Sequence, residues 1–213
     1  MSAKIQERLD AYRFFTNLFM TLPDEQFARA ALEFGIESES EDEVGDAERA
    51  FAAFREARSG QPIEDVLLAL SIDRTQLVRG VNEDGIRPPY ESLYTSDKSE
   101  SSCLSLAETY RRAGLAVAGN TRETPEFIGC ETGFMAELCQ REFAAFEAND
   151  PLKVESLHQS QKAFFQAHLG RWGRAYAQAM VSFAKTEFFR GIGFLLDEFF
   201  EEESALFEEP QGE

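Results

Sequence analysis

The apolar residues of this chain recur at helical spacing along most of its length. At the start, they follow one another at steps of three or four positions from Ile5 to Leu22, which places them on one stripe of an amphipathic helix that Pro23 ends. No segment shows the sustained apolar and polar alternation of a strand bounded by hairpin turns. The pattern therefore predicts an all-α fold, a single globular bundle of roughly eight to eleven helices.

Residues that start or stop helices separate these apolar stripes. Side chains that accept hydrogen bonds from the first turn are favoured as N-caps, proline suits the first turn itself, and glycine suits the helix end. The boundary residues predicted in this way are the N-caps Asp24, Thr124 and Asp150, the first-turn prolines Pro62, Pro125 and Pro151, and the glycines Gly35, Gly60, Gly80 and Gly114 at which the stripes end.

The organisation along the chain follows from these boundaries. We expect a single domain over residues 1–213, with N-terminal helices over 1–80 and C-terminal helices over 104–200. Between them, residues 81–103 are rich in Gly, Pro, Ser and acidic residues and are predicted to be a long loop. The acidic tail 201–213 is predicted to fray, and the acidic stretch from Glu37 to Glu48 to be a solvated loop.

Charge and composition narrow the classes of partner. The 213 residues include 39 acidic and 21 basic side chains, which gives a formal net charge of −18. This charge disfavours nucleic acid and anionic membrane surfaces and favours a basic partner. The N-terminus has no signal-peptide core, and no run of about 18 apolar residues is present. Three cysteines without a Cys-x-x-Cys pair fit a reducing compartment. We therefore expect a cytoplasmic protein with no stable membrane association.

Motifs for catalysis are missing from the sequence. It has no glycine-rich phosphate loop and no Gly-x-Ser-x-Gly elbow. Glu155 and His158 have the spacing by which helical di-iron proteins present two ligands, but such sites need this motif twice, and Phe165 stands where His168 would need its Glu. A polar pair facing solvent is the favoured interpretation. We expect no enzymatic activity, no metal and no cofactor.

The most informative stretch lies within the predicted loop. Pro88 and Pro89 fix their own φ angles and favour an extended backbone, which presents the next aromatic residue at low entropic cost. Tyr90 and Tyr94 are four positions apart, so they share a face if a helical turn begins after Pro89.

Two interpretations of this stretch remain open. In one, the tyrosines capture an extended or helical peptide, while Glu91, Glu126 and Glu131 hold its basic side chains through charge-assisted hydrogen bonds. In the other, a loop stiffened by proline uses its tyrosines to plug the bundle.

At these residues the chain resembles the TorD/DmsD/NarJ family of redox-enzyme maturation chaperones. The family signature has two prolines, an aromatic residue and a Glu-Ser-Val/Leu-Tyr run, which matches Pro88–Tyr94. A later family block, Pro-Asp-His-Ile/Leu-x-x-Glu, matches Pro125–Glu131 and is followed by an apolar helix with Phe134-Met135 and Leu138-Cys139. Leu169-x-x-Trp172 and Phe188-Phe189-x-x-Ile192 also resemble family positions.

The chain departs from the family pattern at two places. Where the family often has an aromatic-x-x-Leu-Phe element before the proline loop, Arg74-x-x-Leu77-Val78 keeps only the leucine. Where the family commonly has Asp-His, this chain has Glu126 and Phe127. The glutamate preserves the charge, whereas the phenylalanine removes an imidazole that can titrate.

The resemblance implies a cytoplasmic, all-helical chaperone with no catalytic activity or cofactor of its own. Such a protein binds the twin-arginine signal peptide of a molybdoenzyme catalytic subunit and holds the apo-form until the molybdopterin cofactor is inserted before export. It is a monomer or a domain-swapped homodimer. A basic and apolar leader suits carboxylates beside an aromatic groove. The alternatives are an acidic helical adaptor for another client and a helical metal-dependent enzyme.

The predicted site combines an apolar groove with acidic residues. We expect two tyrosines, a leucine and a phenylalanine to line the groove, three glutamates to face the arginines of the leader, and two prolines to set the loop. The predicted client-binding residues are Leu77, Pro88, Pro89, Tyr90, Glu91, Ser92, Tyr94, Glu126, Phe127 and Glu131.

Overall fold

Helices account for nearly all of the regular structure. The computed structural model describes residues 2–35, 44–80, 85–96, 99–116 and 123–208. Over these ranges, the chain forms ten α-helices, one 3₁₀ turn and no strand, which confirms the all-α multi-helix prediction. The elements are α1 (Ser2–Met20), α2 (Glu25–Glu33), α3 (Asp46–Arg58), α4 (Ile63–Arg79), α5 (Glu91–Tyr94), α6 (Ser99–Arg112), α7 (Ile128–Glu147), α8 (Pro151–Ala167), the 3₁₀ turn (Leu169–Arg171), α9 (Gly173–Phe183) and α10 (Glu187–Glu208).

The chain divides into two compact units. The first unit comprises Met1–Met20, Pro89–Gly173 and Glu203–Glu213, and the second comprises Thr21–Pro88 and Arg174–Glu202. The expectation of a single domain over residues 1–213 stays a prediction. The acidic stretch that was expected to be a loop lies mostly outside the described residues, in 36–43.

The first unit is built around α7, which packs against α1 on one side and α8 on another. The apolar stripe of α1 is buried as its spacing predicts, with Leu9 and Tyr12 at 1% and 0% exposure. Leu22 was expected to continue this stripe, but it follows the helix end and is 71% exposed.

The second unit has a core of phenylalanine rings around Phe188 of α10. Its ring centroid lies 5.7 Å from that of Phe27, 5.8 Å from that of Phe51 and 5.6 Å from that of Phe54. The tilted and edge-on arrangements are those that aromatic quadrupoles favour. The inward orientation of Phe51 and Phe54 that the sequence predicts is confirmed.

Two of the predicted N-caps are confirmed by hydrogen bonds. A carboxylate oxygen of Asp24 accepts from the backbone N–H of Phe27 at 2.7 Å, and one of Asp150 accepts from that of Lys153 at 3.1 Å. The cap predicted at Thr124 is wrong, because α7 begins at Ile128. Residues 124–127 form a turn instead, in which the carbonyl of Thr124 accepts from the N–H of Phe127 at 3.1 Å.

The prediction that Gly35 ends α2 in a left-handed conformation is also wrong. Helix α2 is followed by Phe34, which has an extended conformation. The carbonyl of Phe34 accepts a hydrogen bond from the guanidinium of Arg55. Gly35 serves this contact in another way, because a Cβ atom there would lie 2.9 Å from Nη1 of Arg55.

The predicted loop 81–103 contains helical structure. The single turn α5 follows Pro89, and α6 begins at Ser99, before the expected helix start at 104. Leu104, at the predicted helix start, is 73% exposed, whereas Leu106 is wholly buried. Burial of Leu106 and Tyr110 stabilises α6, because tertiary packing of an apolar face contributes more to helix stability than local propensity does.

The predicted fraying of the tail is wrong up to Glu208. Helix α10 continues to this residue because Glu203 and Phe207, at 2% and 1% exposure, are anchored in the first unit. Residues 209–213 lie outside the described part of the chain.

Candidate functional site

A short antiparallel bridge fixes the proline loop to the start of α7. Tyr90 and Phe127 form the bridge. The N–H of Glu91 donates to the carbonyl of Glu126 at 3.1 Å, and the N–H of Ile128 donates to the carbonyl of Pro89 at 3.0 Å. The second bond also satisfies one of the amides that a helix N-terminus leaves without an intrahelical partner. The two segments that resemble the family are therefore joined through their backbones.

The side chains of this bridge give an aromatic pair with one accessible member. The ring centroids of Tyr90 and Phe127 lie 5.4 Å apart. Phe127 is wholly buried and Tyr90 is half-buried. The hydroxyl of Tyr90 donates to a carboxylate oxygen of Glu123 at 2.6 Å, which sets the direction of the ring.

Helix α5 presents a second aromatic residue. Its first turn is fixed by Glu126, whose carboxylate accepts from the backbone N–H of Ser92 at 3.1 Å. Tyr94 is half-buried and packs on Trp172, with 5.5 Å between the ring centroids. Leu93, which lies next to it, is 41% exposed. Tyr90, Leu93 and Tyr94 thus offer apolar surface close to a carboxylate.

Glu91 is directed into the first unit and is paired there. It is 1% exposed, and Nδ1 of His168 lies 3.0 Å from its Oε2 atom. Nη1 of Arg171 lies 3.9 Å from Oε1 of the same carboxylate. Partners of this kind are required for a carboxylate that is removed from water.

Glu131 lies deeper and has a weaker set of partners. It has no exposed surface, and Nε1 of Trp172 donates to its Oε2 at a long distance of 3.4 Å. Its Oε1 atom is buried, and no residue of the described ranges forms a hydrogen bond with it. Burial raises the pKa of this carboxyl well above its ordinary value, and the charges of Glu91 and Glu126 raise it further. Both effects act against the charged form of this carboxyl.

Eight of the ten predicted site residues lie in the first unit, and the structure brings them together around the bridge. The other two, Leu77 and Pro88, belong to the second unit. Leu77 is buried in α4, and its carbonyl accepts from the hydroxyl of Tyr176 at 3.4 Å. Pro88 packs over the end of α4 at Gly80. The role of all ten residues in client binding stays a prediction.

Several residues of this region were missed or given another role from the sequence. Glu123 precedes the Pro125–Glu131 block and had no signal apart from its charge. His168 was considered only as a metal ligand, and Trp172 only as a family position. Their contribution depends on contacts with Glu91 and Tyr94, more than 70 positions earlier, which local spacing does not show.

The second histidine lies apart from this region. The ring of His158 packs on Phe207 at 5.5 Å between centroids, and its Nδ1 lies 3.7 Å from a carboxylate oxygen of Glu142. Glu155 is exposed and accepts from Gln159 at 2.9 Å. The prediction that both side chains face solvent is therefore confirmed for Glu155 and wrong for His158. Over the described residues, no group of three or more His, Cys, Asp and Glu side chains is arranged to hold a metal ion.

Comparison with known families assigns the chain to a class of protein. Residues 38–178, more than half of the chain, match the family described as nitrate reductase delta subunit. The chain belongs to this family, which comprises the NarJ- and TorD-type maturation chaperones of molybdoenzymes and is not a catalytic family. The resemblance inferred from the proline loop and the α7 block is confirmed. No curated protein gives a significant match to the chain.

The family assignment implies a molybdoenzyme as the partner in general. None of the helices in the described ranges has the length and apolar character needed to cross a bilayer.

Proposed function

We propose that this chaperone binds the twin-arginine signal peptide of a molybdoenzyme catalytic subunit in the cytoplasm and holds the apo-form of the subunit until the molybdopterin cofactor is inserted, before export. The proposal is supported by the family assignment. The observation that carries it is the bridge between Tyr90 and Phe127, which holds the half-buried ring of Tyr90 next to the carboxylate of Glu123.

The accessible residues of the bridge region match the two parts of such a leader. Tyr90, Leu93 and Tyr94 supply apolar surface for its hydrophobic stretch. Glu123, which is partly exposed, supplies a carboxylate for its arginines, because a guanidinium forms strong, often bidentate hydrogen bonds with a carboxylate. Glu126 is 7% exposed and its carboxylate accepts from the N–H of Ser92, so it attracts the arginines through its charge. The net charge of −18 adds long-range attraction for a cationic segment and speeds encounter.

The buried residues of the same region act as support. Glu91 fixes α5 through His168, and Phe127 forms the wall against which Tyr90 packs. Binding of the leader uses Tyr90 and Tyr94 in the orientation that these contacts set. A preorganised surface loses less conformational entropy on binding than a mobile one.

Titration calorimetry with a synthetic leader peptide tests the proposal. We expect the wild-type chain to bind a peptide with two arginines and an apolar stretch. Tyr90→Ala is expected to weaken binding by about 1–3 kcal/mol, the cost of losing a buried aromatic anchor. Tyr90→Phe keeps the ring and is expected to lose much less. Leu152→Ala on α8, where Leu152 is 84% exposed, is the control away from the bridge.

The same titration separates the rival functions. A peptide with both arginines replaced by glutamine is expected to bind more weakly, because the carboxylates then face no charge. A protein that binds no leader peptide but binds a folded partner would be an adaptor of another kind. Affinity that is unchanged in Tyr90→Ala would remove this residue from the site.

A further inference from the structure

A cavity of about 420 Å³ lies between α6, α7 and α8 in the first unit, and its lining includes His168, which pairs with Glu91. Its walls are largely apolar, with Phe134 and Leu138 from α7 and Leu157 and Phe164 from α8. This volume lies in the range of small-molecule pockets, which is about 300–1,000 Å³.

The charge of the cavity is opposite to that of the chain. The charged residues that line it are Arg112 and Arg141, the imidazole of His168 also lines it, and no Asp or Glu is found among its lining residues in the described chain. This is unexpected on composition alone, because acidic residues outnumber basic ones by 39 to 21. An anion that is repelled by most of the surface would meet two guanidinium groups here, each of which is also paired with a glutamate outside the lining.

Arg141 is held in position for such a ligand. Its Nη1 donates to the carbonyl of Ala113 at 2.8 Å, and its Nε donates to a carboxylate oxygen of Glu137 at 2.8 Å. These bonds join the end of α6 to α7 and fix the plane of the guanidinium. The Nη2 atom of Arg141 takes part in neither of these two hydrogen bonds. A guanidinium ordered in this way loses little entropy when it binds a further anion.

Arg112 supplies a second positive charge from α6. Its Nε donates to Glu108 at 2.8 Å, and its side chain is 76% exposed. Arg111, its neighbour, donates to the same carboxylate at 2.8 Å but does not line the cavity. On the α8 side, the exposed residues Ser160, Ala163 and Ala167 leave the mouth unobstructed because they are small.

We infer that this cavity binds a small amphipathic organic anion, with a carboxylate or phosphate group on Arg141 and Arg112 and an apolar body against Phe134 and Phe164. This binding is a function separate from capture of the leader peptide.

Calorimetry on the full chain with three eight-carbon probes tests the inference. We expect octanoate and octyl phosphate to bind saturably with one site per chain, and their relative affinities distinguish a carboxylate site from a phosphate site. Octylammonium has the same apolar body and the opposite charge, and is expected to bind at least about tenfold more weakly, the factor that 1.4 kcal/mol represents. Equal binding of octylammonium, or no saturable binding of either anion, would overturn the inference.

Variants locate the binding in the cavity. Arg112→Gln and Arg141→Gln are each expected to weaken octanoate binding about tenfold, because each removes a charged hydrogen-bond donor to the head group of the anion. Arg111→Gln removes the same charge from the same helix outside the cavity and is expected to bind as the wild type does. Ala163→Phe fills the mouth from an exposed position and is expected to abolish binding.

The variants also separate a folding defect from a binding defect. Arg141→Gln removes a contact between α6 and α7, so its melting temperature is measured with its affinity. Arg112 and Ala163 are exposed, and their variants are expected to fold normally. Equal affinities of Arg111→Gln and Arg112→Gln, or full binding by folded Ala163→Phe, would show that the anion binds elsewhere.

Discussion

Arg8 and Glu203, which are 195 positions apart in the sequence, form a bidentate ion pair inside the first unit. Nε and Nη2 of Arg8 donate to the two carboxylate oxygens of Glu203 at 2.5 and 2.8 Å. The hydroxyl of Tyr12 donates to the same carboxylate at 2.7 Å. Burial alone would lower the pKa of Arg8, but the hydrogen bonds and charge of Glu203 raise it above its ordinary value. This pair anchors the end of α10 to α1.

Replacement of Glu203 by glutamine is expected to destabilise the protein strongly. The charge of Arg8, whose side chain is 12% exposed, would then face only Glu142, whose carboxylate lies 3.6 Å away. Removing one partner of a buried ion pair costs about 3–5 kcal/mol. Urea denaturation measures this loss, and Glu202→Gln, at an exposed position of the same helix, is the control. Equal midpoints for the two variants would contradict a structural role for the pair.

Glu131→Gln is expected to stabilise the protein at neutral pH. Its carboxyl is buried with a raised pKa, so folding at neutral pH requires it to be protonated or to lose its hydration as an anion, whereas an amide keeps the acceptor for Trp172 and requires neither. We expect the melting temperature to rise by roughly 2–4 °C, the shift that about 1 kcal/mol produces in a chain of this size. Glu155→Gln, at an exposed position of α8, is expected to change little.

The effect of this substitution depends on pH in a defined direction. The pKa of Glu131 in the folded protein is raised above its ordinary value of 4.5. As the pH rises above 4.5, the carboxyl of Glu131 loses its proton in the unfolded chain but keeps it in the folded chain, so the stability of the wild type falls. The fall continues until the folded pKa is passed. The advantage of Glu131→Gln is therefore expected to grow from pH 4 to pH 8. A constant difference in melting temperature across this range would refute it.

Asp73→Ala is expected to weaken the second unit. The carboxylate of Asp73, which is 1% exposed, accepts from the N–H of Lys185 at 3.0 Å and from the N–H and hydroxyl of Thr186, both at 2.7 Å. It therefore fixes the turn that begins α10. Loss of this acceptor leaves donors unsatisfied at a cost of about 2–4 kcal/mol, whereas Asp73→Asn is expected to lose less. Chemical denaturation measures both, with Thr75→Ala as the exposed control on α4.

Gly80→Ala is expected to cost more stability than Gly60→Ala. Both glycines are left-handed, with φ of 58° and 74°. A Cβ on Gly80 would lie 2.7 Å from Cδ of Pro88 and 2.9 Å from the carbonyl oxygen of Ile86, whereas one on Gly60 meets nothing within 4 Å. The left-handed conformation alone costs alanine about 1–2 kcal/mol. Thermal unfolding measures both losses of stability. A larger loss for Gly80→Ala reports the contact with Pro88, and equal losses would show that the loop moves aside.

Helix positions in this fold were predictable where local chemistry decides them. Asp150 and Pro151 start α8 as expected, because a cap and a first-turn proline act within a few residues. The register of α6 was not predictable, since Leu104 and Leu106 are equally apolar and only tertiary packing selects which one is buried. The order of the tail was likewise hidden, because it depends on Arg8 at the other end of the sequence.

The candidate site shows the same division between local and distant effects. The two segments that form the bridge could be singled out from their residues, whereas a helical turn after Pro89 was considered only as the condition under which Tyr90 and Tyr94 share a face. The orientation of the carboxylates could not be predicted. Glu91 pairs with His168, and Glu131 has no exposed surface. Glu123, which no sequence motif singled out, accepts a hydrogen bond from the hydroxyl of Tyr90.

The bridge between Tyr90 and Phe127 also gives the backbone a built-in reporter. Its two amides, those of Glu91 and Ile128, donate across the same pair of segments, so opening of the loop exposes both to solvent at once. In deuterium exchange followed by NMR, their protection is expected to fall and recover together, and to increase together when a leader peptide occupies the tyrosines. Occupancy can thus be followed on two backbone amides of the native protein.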